Sequence, residues 1–137
     1  MKKFRRAAVL GAGVMGSQLA ALLAGAGLKV ELFDLPGPDE KEPESIAKLA
    51  IKKLKTQKPS PLFHPKYLDN IRPGSLKHHL DRLKEVDWAL EAVAENLKIK
   101  QALYSNIVPF LADDCILSSN TSGLSIAKLS EDRKSVV

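Results

Sequence analysis

One cysteine, Cys115, stands in a chain of 137 residues. That scarcity excludes an internal disulfide, and a single thiolate cannot build a cysteine-rich zinc site. A reducing compartment, the cytoplasm, is the expected location. Aromatic residues are also few, at 5% of the chain, and no motif of a nucleic-acid-binding module is visible. The excess of 21 Lys and Arg over 16 Asp and Glu, a net charge of +5, permits a polyanionic partner without requiring one. Nucleic acid is therefore not expected as a partner. Long apolar runs are missing too: none approaches the roughly 20 residues that span a bilayer, so no membrane partner is expected. A basic start, Lys2-Lys3-Phe4-Arg5-Arg6, precedes an apolar stretch as in a secretion signal. Glycines at 11, 13 and 16 break that stretch, which runs on as a helix pattern, so the signal reading is rejected.

What is present is ordinary for a soluble globular protein: 45% hydrophobic and 27% charged residues. The length suits one domain, residues 1–137, because domains usually run to about 100–150 residues. Residues 7–10, Ala-Ala-Val-Leu, form a short apolar run that reads as a buried strand. Small apolar residues over 14–26 read as a helix packed closely on a sheet, stopped by Gly25 and Gly27. Residues 29–34, Lys-Val-Glu-Leu-Phe-Asp, read as a second strand, and three prolines with Gly37 make 35–43 a loop. Residues 45–55 predict an amphipathic helix with Ile46, Leu49, Ala50 and Leu54 on one side and Lys48, Lys52 and Lys55 on the other. Residues 62–75 are the least legible, with a short strand conceivable near Asn70-Ile71-Arg72. Residues 76–86 predict a short helix, 88–93 a strand, 97–111 a helix, 116–118 a strand, and a further helix starts near Leu124. Alternating strands and helices of this kind predict an α/β fold: a Rossmann-type, doubly wound parallel sheet in three layers, with right-handed crossovers.

The hexapeptide Gly11-Ala12-Gly13-Val14-Met15-Gly16 has the GxGxxG spacing. Such a string means little alone, but here a strand precedes it, a helix follows it, and an acid ends the next strand. Each glycine has its own task. Gly11 permits the tight turn, Gly13 lets a pyrophosphate approach the backbone, and Gly16 lets the helix lie close to the strand. The uncapped N–H groups and partial positive charge of the helix start then face the phosphates. Asp34 follows Gly11 by 23 residues, near the spacing of the acid that accepts hydrogen bonds from the adenine-side ribose. A carboxylate there repels a 2′-phosphate, so the expected cofactor is NAD rather than NADP. The alternative for Asp34 is a loop aspartate that caps Leu35-Pro36.

Two further segments, residues 86–100 (with Glu91-Ala-Val-Ala-Glu95-Asn96) and 116–126 (with Ser118-Ser119-Asn120-Thr121-Ser122), complete a pattern. With the glycine loop, they closely resemble the N-terminal NAD-binding domain of the 3-hydroxyacyl-CoA dehydrogenases, in order and spacing over nearly the whole chain. The resemblance implies that Ala92 and Val93 line the dinucleotide cleft. It implies that Glu95 contacts the nicotinamide-side ribose with Lys100 close by. It places Ser119 where nicotinamide and the substrate hydroxyl meet, with Asn120 beside it. Residues 92–95 and 118–120 lie at the carboxyl ends of predicted strands, where ligands bind in open parallel sheets. Plainer readings stand beside these: Glu91 and Glu95 as solvated charges, Lys98 and Lys100 as decoration of a helix start, Asn96 as its N-cap, and 118–122 as a polar turn.

In the resembled family a serine and a lysine spaced as Ser45 and Lys52 meet the coenzyme A part of the substrate. A lysine-rich helix face is more often simply solvated. The family's general base is a histidine in a segment that this sequence does not contain, and His64, His78 and His79 read as surface or structural residues. The resemblance thus implies a chain truncated before the C-terminal helical domain, through which the family usually dimerises. Such a chain binds NAD without oxidising 3-hydroxyacyl-CoA by itself. A dehydrogenase of another 3-hydroxy acid and a non-catalytic NAD-binding module are the competing expectations.

Overall fold

A computed structural model describes residues 4–57, 64–93 and 96–119. Five strands form one parallel sheet in the order β3-β2-β1-β4-β5. They are β1 (Arg6–Leu10), β2 (Lys29–Asp34), β3 (Ile71–Ser75), β4 (Trp88–Glu91) and β5 (Ile116–Ser119). Three helices join them: α1 (Val14–Gly25), α2 (Ser45–Leu54) and α3 (Leu97–Ile107). Successive connections from β1 run outward to β3, then return to place β4 on the other side of β1. That reversal creates the crevice where doubly wound sheets take their ligands.

The sheet is buried on both faces, which is why its strands carry apolar runs. On one side Ala7, Val9, Val30, Leu32 and Ile71 pack against α1 and α2 through Ala20, Ala24, Ala47, Ala50 and Leu54. On the other, Ala8, Leu10, Phe33, Ala89 and Leu117 pack against α3 through Leu103, Tyr104 and Ile107. The three layers expected from the alternation are therefore present. The alanines of α1 and α2 explain how closely these helices approach the sheet, since each keeps its side chain to one carbon.

Besides β4, which ends at Glu91 rather than Val93, four elements depart from the sequence reading. First, β3 is longer than the expected strand and runs through Pro73 and Gly74. It is an edge strand, where a missing N–H is tolerated. The ring of Phe33 fills the space over Gly74, where an added Cβ would lie 2.8 Å from Cε1. Second, α2 is rotated. Ala47, Ala50 and Leu54 face inward, whereas Leu49 is 53% exposed and Ile46 is also open. Third, residues 76–86 are not an α-helix. A 3-10 segment covers Leu80–Glu85, with Leu76, Leu80, Leu83 and Val86 still buried. Here Ser75 N–H donates to His79 Nδ1 at 2.8 Å, and Ser75 Oγ accepts from the N–H of Lys77 and His78. These local bonds hold a turn that competes with helix. Fourth, α3 ends at Ile107 because Pro109 cannot continue the ladder, and a 3-10 turn covers Val108–Phe110. The helix expected near Leu124 lies outside the described residues.

His79 gives the fold a pH dependence. Burial, reinforced by the charge of Arg82, lowers its pKa below the usual 6.5. The unfolded chain thus takes up this proton at higher pH than the folded one, so stability is full above about pH 6.5 and falls as pH drops below it. His79→Asn, which keeps a neutral acceptor for Ser75 N–H, should flatten denaturant midpoints between pH 7 and pH 5.5 relative to the wild type. Equal slopes would remove His79 from the account.

Candidate functional site

The strand-to-helix turn after β1 is built by its outer glycines. Gly11 has φ +117°, a left-handed conformation that side chains resist, and an added Cβ would meet the carbonyl oxygen of Ala92 at 2.6 Å. Gly16 is tighter still: a Cβ would lie 1.7 Å from the carbonyl oxygen of Gly11. The turn is thereby wedged between the start of α1 and the residue after β4. Gly13 differs. Its φ of −74° is ordinary, and a Cβ there would meet nothing within 4 Å. Neither strain nor protein packing asks for glycine at 13, so the open space above it is what the missing side chain provides.

The start of α1 fits an anion. Gly13 is its N-cap, no side chain caps it, and its first turn carries no acid. Helix N-termini leave their first N–H groups without intrahelical acceptors. Here they open where Val14 and Met15 are exposed. A diphosphate supplies the acceptors these groups lack and complements the helix dipole.

Asp34 ends β2 beside this turn. Its Oδ2 accepts from the Ala12 N–H at 2.8 Å, and its Oδ1 accepts from the Leu35 N–H at 2.6 Å. The capping of Leu35 weighed from the sequence is thus real, and it coexists with a direct tie to the glycine turn that the sequence did not reveal. Each carboxylate oxygen retains a lone pair for a ribose hydroxyl. Leu35, Pro36, Leu76, Leu80, Ile99 and Ala102 line an apolar groove next to it.

At the far side of the turn, Glu91 ends β4 with no solvent exposure. The solvated reading of Glu91 is therefore corrected: a central parallel strand is covered on both faces, so its charge must be paired. Lys100, equally buried, places Nζ 3.0 Å from Glu91 Oε1. Ser119 Oγ donates to the same oxygen at 2.7 Å, Tyr104 OH donates to it at 3.3 Å, and Val93 N–H donates to Oε2 at 2.8 Å. Burial pushes the Tyr104 phenol up to about 12, the Ser119 hydrogen bond opposes the shift, and the charge of Glu91 adds to it. Tyr104 is thus a neutral donor at physiological pH.

The structure therefore gathers Gly11 to Gly16, Asp34, Ala92, Val93 and Ser119 along the carboxyl ends of β2, β1, β4 and β5. Lys100 sits beneath that line, facing Glu91. Ser45 and Lys52 share a separate groove on α2 with Lys48 and Lys55. Asn96 is the N-cap of α3, its Oδ1 accepting from the Ile99 N–H at 3.2 Å. Glu95 and Asn120 lie outside the described residues. Sequence reasoning missed Glu91 and Tyr104 as partners of Ser119. The signal was the spacing of Lys100, Leu103, Tyr104 and Ile107, which puts a lysine on the buried stripe of α3. Among the described residues no group of three His, Cys, Asp or Glu could hold a metal ion, and no helix is long and apolar enough to cross a membrane.

Residues 6–136 match the family model described as "3-hydroxyacyl-CoA dehydrogenase, NAD binding domain". A putative fatty acid oxidation complex trifunctional enzyme of Rickettsia prowazekii is 42% identical over 127 residues, which are 93% of this chain and 18% of that protein. A probable 3-hydroxyacyl-CoA dehydrogenase of Deinococcus radiodurans is 38% identical over 89% of this chain and 35% of its own length. Among solved structures, the (S)-3-hydroxybutyryl-CoA dehydrogenase of Ralstonia eutropha superimposes with a TM-score of 0.71 at 27% identity, covering 95% of this chain and 45% of that one. The chain thus spans less than half the length of each of these relatives.

Proposed function

The chain belongs to the 3-hydroxyacyl-CoA dehydrogenase family as its NAD-binding domain, and we propose that in the whole protein it holds NAD for oxidation of a 3-hydroxyacyl-CoA in fatty acid β-oxidation. The observation that carries this reading is the bare, uncapped start of α1 above Gly13, flanked by Asp34 on one side and the Ser119 hydroxyl on the other. Bound NAD supplies the hydride acceptor. The residues of the chain bind and orient it: amides of the turn at residues 13–15 take the diphosphate, Asp34 takes the adenine-side ribose, and the groove of Leu35, Pro36 and Ile99 takes the adenine. Ala92 and Val93 border the middle of the dinucleotide. Ser119, two strands beyond the turn side of β1, meets the nicotinamide end, joined by Glu95 and Asn120. The coenzyme A part of the substrate runs along α2 past Ser45 and Lys52, where Lys55 adds positive charge and Lys48 is paired with Glu42 at 3.7 Å.

The chain alone binds NAD without turnover. His78 and His79 follow β3, which is at the opposite edge of the sheet from β5. Four strand spacings of about 4.8 Å separate those edges, roughly 19 Å, too far for either imidazole to take a proton at Ser119. Homodimerisation through a further domain of the whole protein, in the cytoplasm, completes the reading.

Calorimetric titration with NAD and NADP tests the cofactor assignment. NAD should bind more tightly, because the Asp34 carboxylate repels a 2′-phosphate. A hydrogen bond to a charged group contributes about 1.5–3 kcal/mol, so Asp34→Asn, which loses the charge and one of the two acceptor oxygens that Ala12 and Leu35 use, should weaken NAD binding about tenfold and narrow the gap to NADP. Unchanged affinities in that variant would remove Asp34 from the ribose site. Reduction of NAD by 3-hydroxybutyryl-CoA with this chain alone would overturn the proposed lack of turnover.

A further inference from the structure

We propose that Glu91, backed by Lys100 and Tyr104, is a positioning residue that turns the Ser119 hydroxyl into an acceptor-only contact for the carboxamide N–H of the nicotinamide. The inference rests on the cofactor placement proposed above. Its starting point is proton bookkeeping. A hydroxyl has one hydrogen to donate and two lone pairs to accept with. Ser119 spends its hydrogen on Glu91 Oε1 at 2.7 Å, a short bond to a charged acceptor of the stronger kind.

Glu91 cannot reverse this polarity. A carboxylate paired with an ammonium only accepts, and Lys100 Nζ sits 3.0 Å from the same oxygen. Tyr104 OH also donates to that oxygen, and burial keeps its phenol protonated. The described partners of Ser119 on this side are Glu91 and Tyr104, and the serine hydrogen points into that buried network. What half-buried Ser119 offers outward is lone pairs.

The strand order decides which part of the dinucleotide arrives there. Asp34 lies at the end of β2, the glycine turn at the end of β1, and Ser119 at the end of β5, beyond β4. A dinucleotide with its diphosphate at the turn and one ribose at Asp34 reaches β5 with its nicotinamide. On the nicotinamide ring the carboxamide is the one hydrogen-bond donor. An acceptor-only serine thus reads the amide N–H and is indifferent to a carbonyl in its place.

Titration of the purified chain with NAD, 3-acetylpyridine adenine dinucleotide and ADP-ribose tests this. The acetylpyridine analogue keeps the carbonyl and lacks the N–H; ADP-ribose lacks the ring altogether. The wild type should bind NAD about threefold to tenfold more tightly than the acetylpyridine analogue, the worth of one net hydrogen bond. Ser119→Ala should bring that ratio close to one, and Ser119→Thr should keep it. The double variant Glu91→Gln/Lys100→Met removes both charges of the described pair and gives Ser119 an amide that can donate, which frees the hydroxyl hydrogen to turn outward. Its ratio should also fall towards one while its thermal unfolding stays cooperative. A merely structural network would lower all three affinities together and leave the ratio unchanged. A preference for NAD over ADP-ribose without one over the acetylpyridine analogue overturns the inference and spares the cofactor placement. Equal binding of NAD and ADP-ribose, or no binding of any of the three, overturns both.

Discussion

Lys100→Met should destabilise the fold by about 3–5 kcal/mol, because it strands the Glu91 carboxylate without its counter-ion in a site closed to water. Glu91 and Lys100 both have zero exposure, so solvent cannot replace the lost partner. Glu91→Ala should cost a similar amount from the other side. It also orphans the Val93 N–H, which donates to Oε2. Glu91→Gln/Lys100→Met should recover most of the loss, since breaking a buried pair costs more than neutralising it. Denaturant midpoints of the two single variants and the double variant provide the cycle. Additive losses would mean that the pair is hydrated in solution, and the burial of both groups would have to be abandoned.

The second large effect separates two glycines of one turn. Gly16→Ala puts a methyl against backbone atoms, 1.7 Å from the Gly11 carbonyl oxygen. The clash cannot be relieved by a rotamer, so α1 must back away from β1. Overpacking of this kind costs about 1–3 kcal/mol or more, read as a lower denaturant midpoint with or without NAD. Gly13→Ala adds a methyl that meets no protein atom. Its stability should fall by no more than about 1 kcal/mol, the preference of an N-cap for glycine over alanine. Its NAD affinity should nevertheless fall on the order of tenfold to a hundredfold, since the methyl stands where the proposed site brings the diphosphate to the amides and a charge-assisted bond is worth about 1.5–3 kcal/mol. A Gly13→Ala protein that is stable and binds NAD normally would leave the middle glycine without a purpose.

Local rules made the proposed cofactor half of the candidate site legible. The turn, the helix after it and Asp34 follow one another within 24 residues, and each has a pattern of its own. The alternation of strand and helix likewise carried the layers and the parallel sheet. What escaped depended on partners distant in sequence. Pro73 and Gly74 discourage a strand until β3 is known to be an edge, with the Phe33 ring over Gly74. The inward face of α2 was misjudged because alanine is a weak periodic signal, and Ile46 and Leu49 outweighed Ala47 in the pattern. Glu91 was read as solvated because its four partners come from three other segments, at residues 93, 100, 104 and 119. A glutamate ending a central strand and a lysine on a buried helical stripe pointed to one another, but only the strand order brings them together.

The most direct test follows the backbone amides of the isotopically labelled chain by NMR as NAD is added. The amides of Gly13, Val14 and Met15 should show the largest shifts, saturating with the calorimetric affinity, and ADP-ribose should reproduce them while leaving Ser119 unmoved. Saturable NAD binding that leaves those three amides in place would contradict the account at its centre.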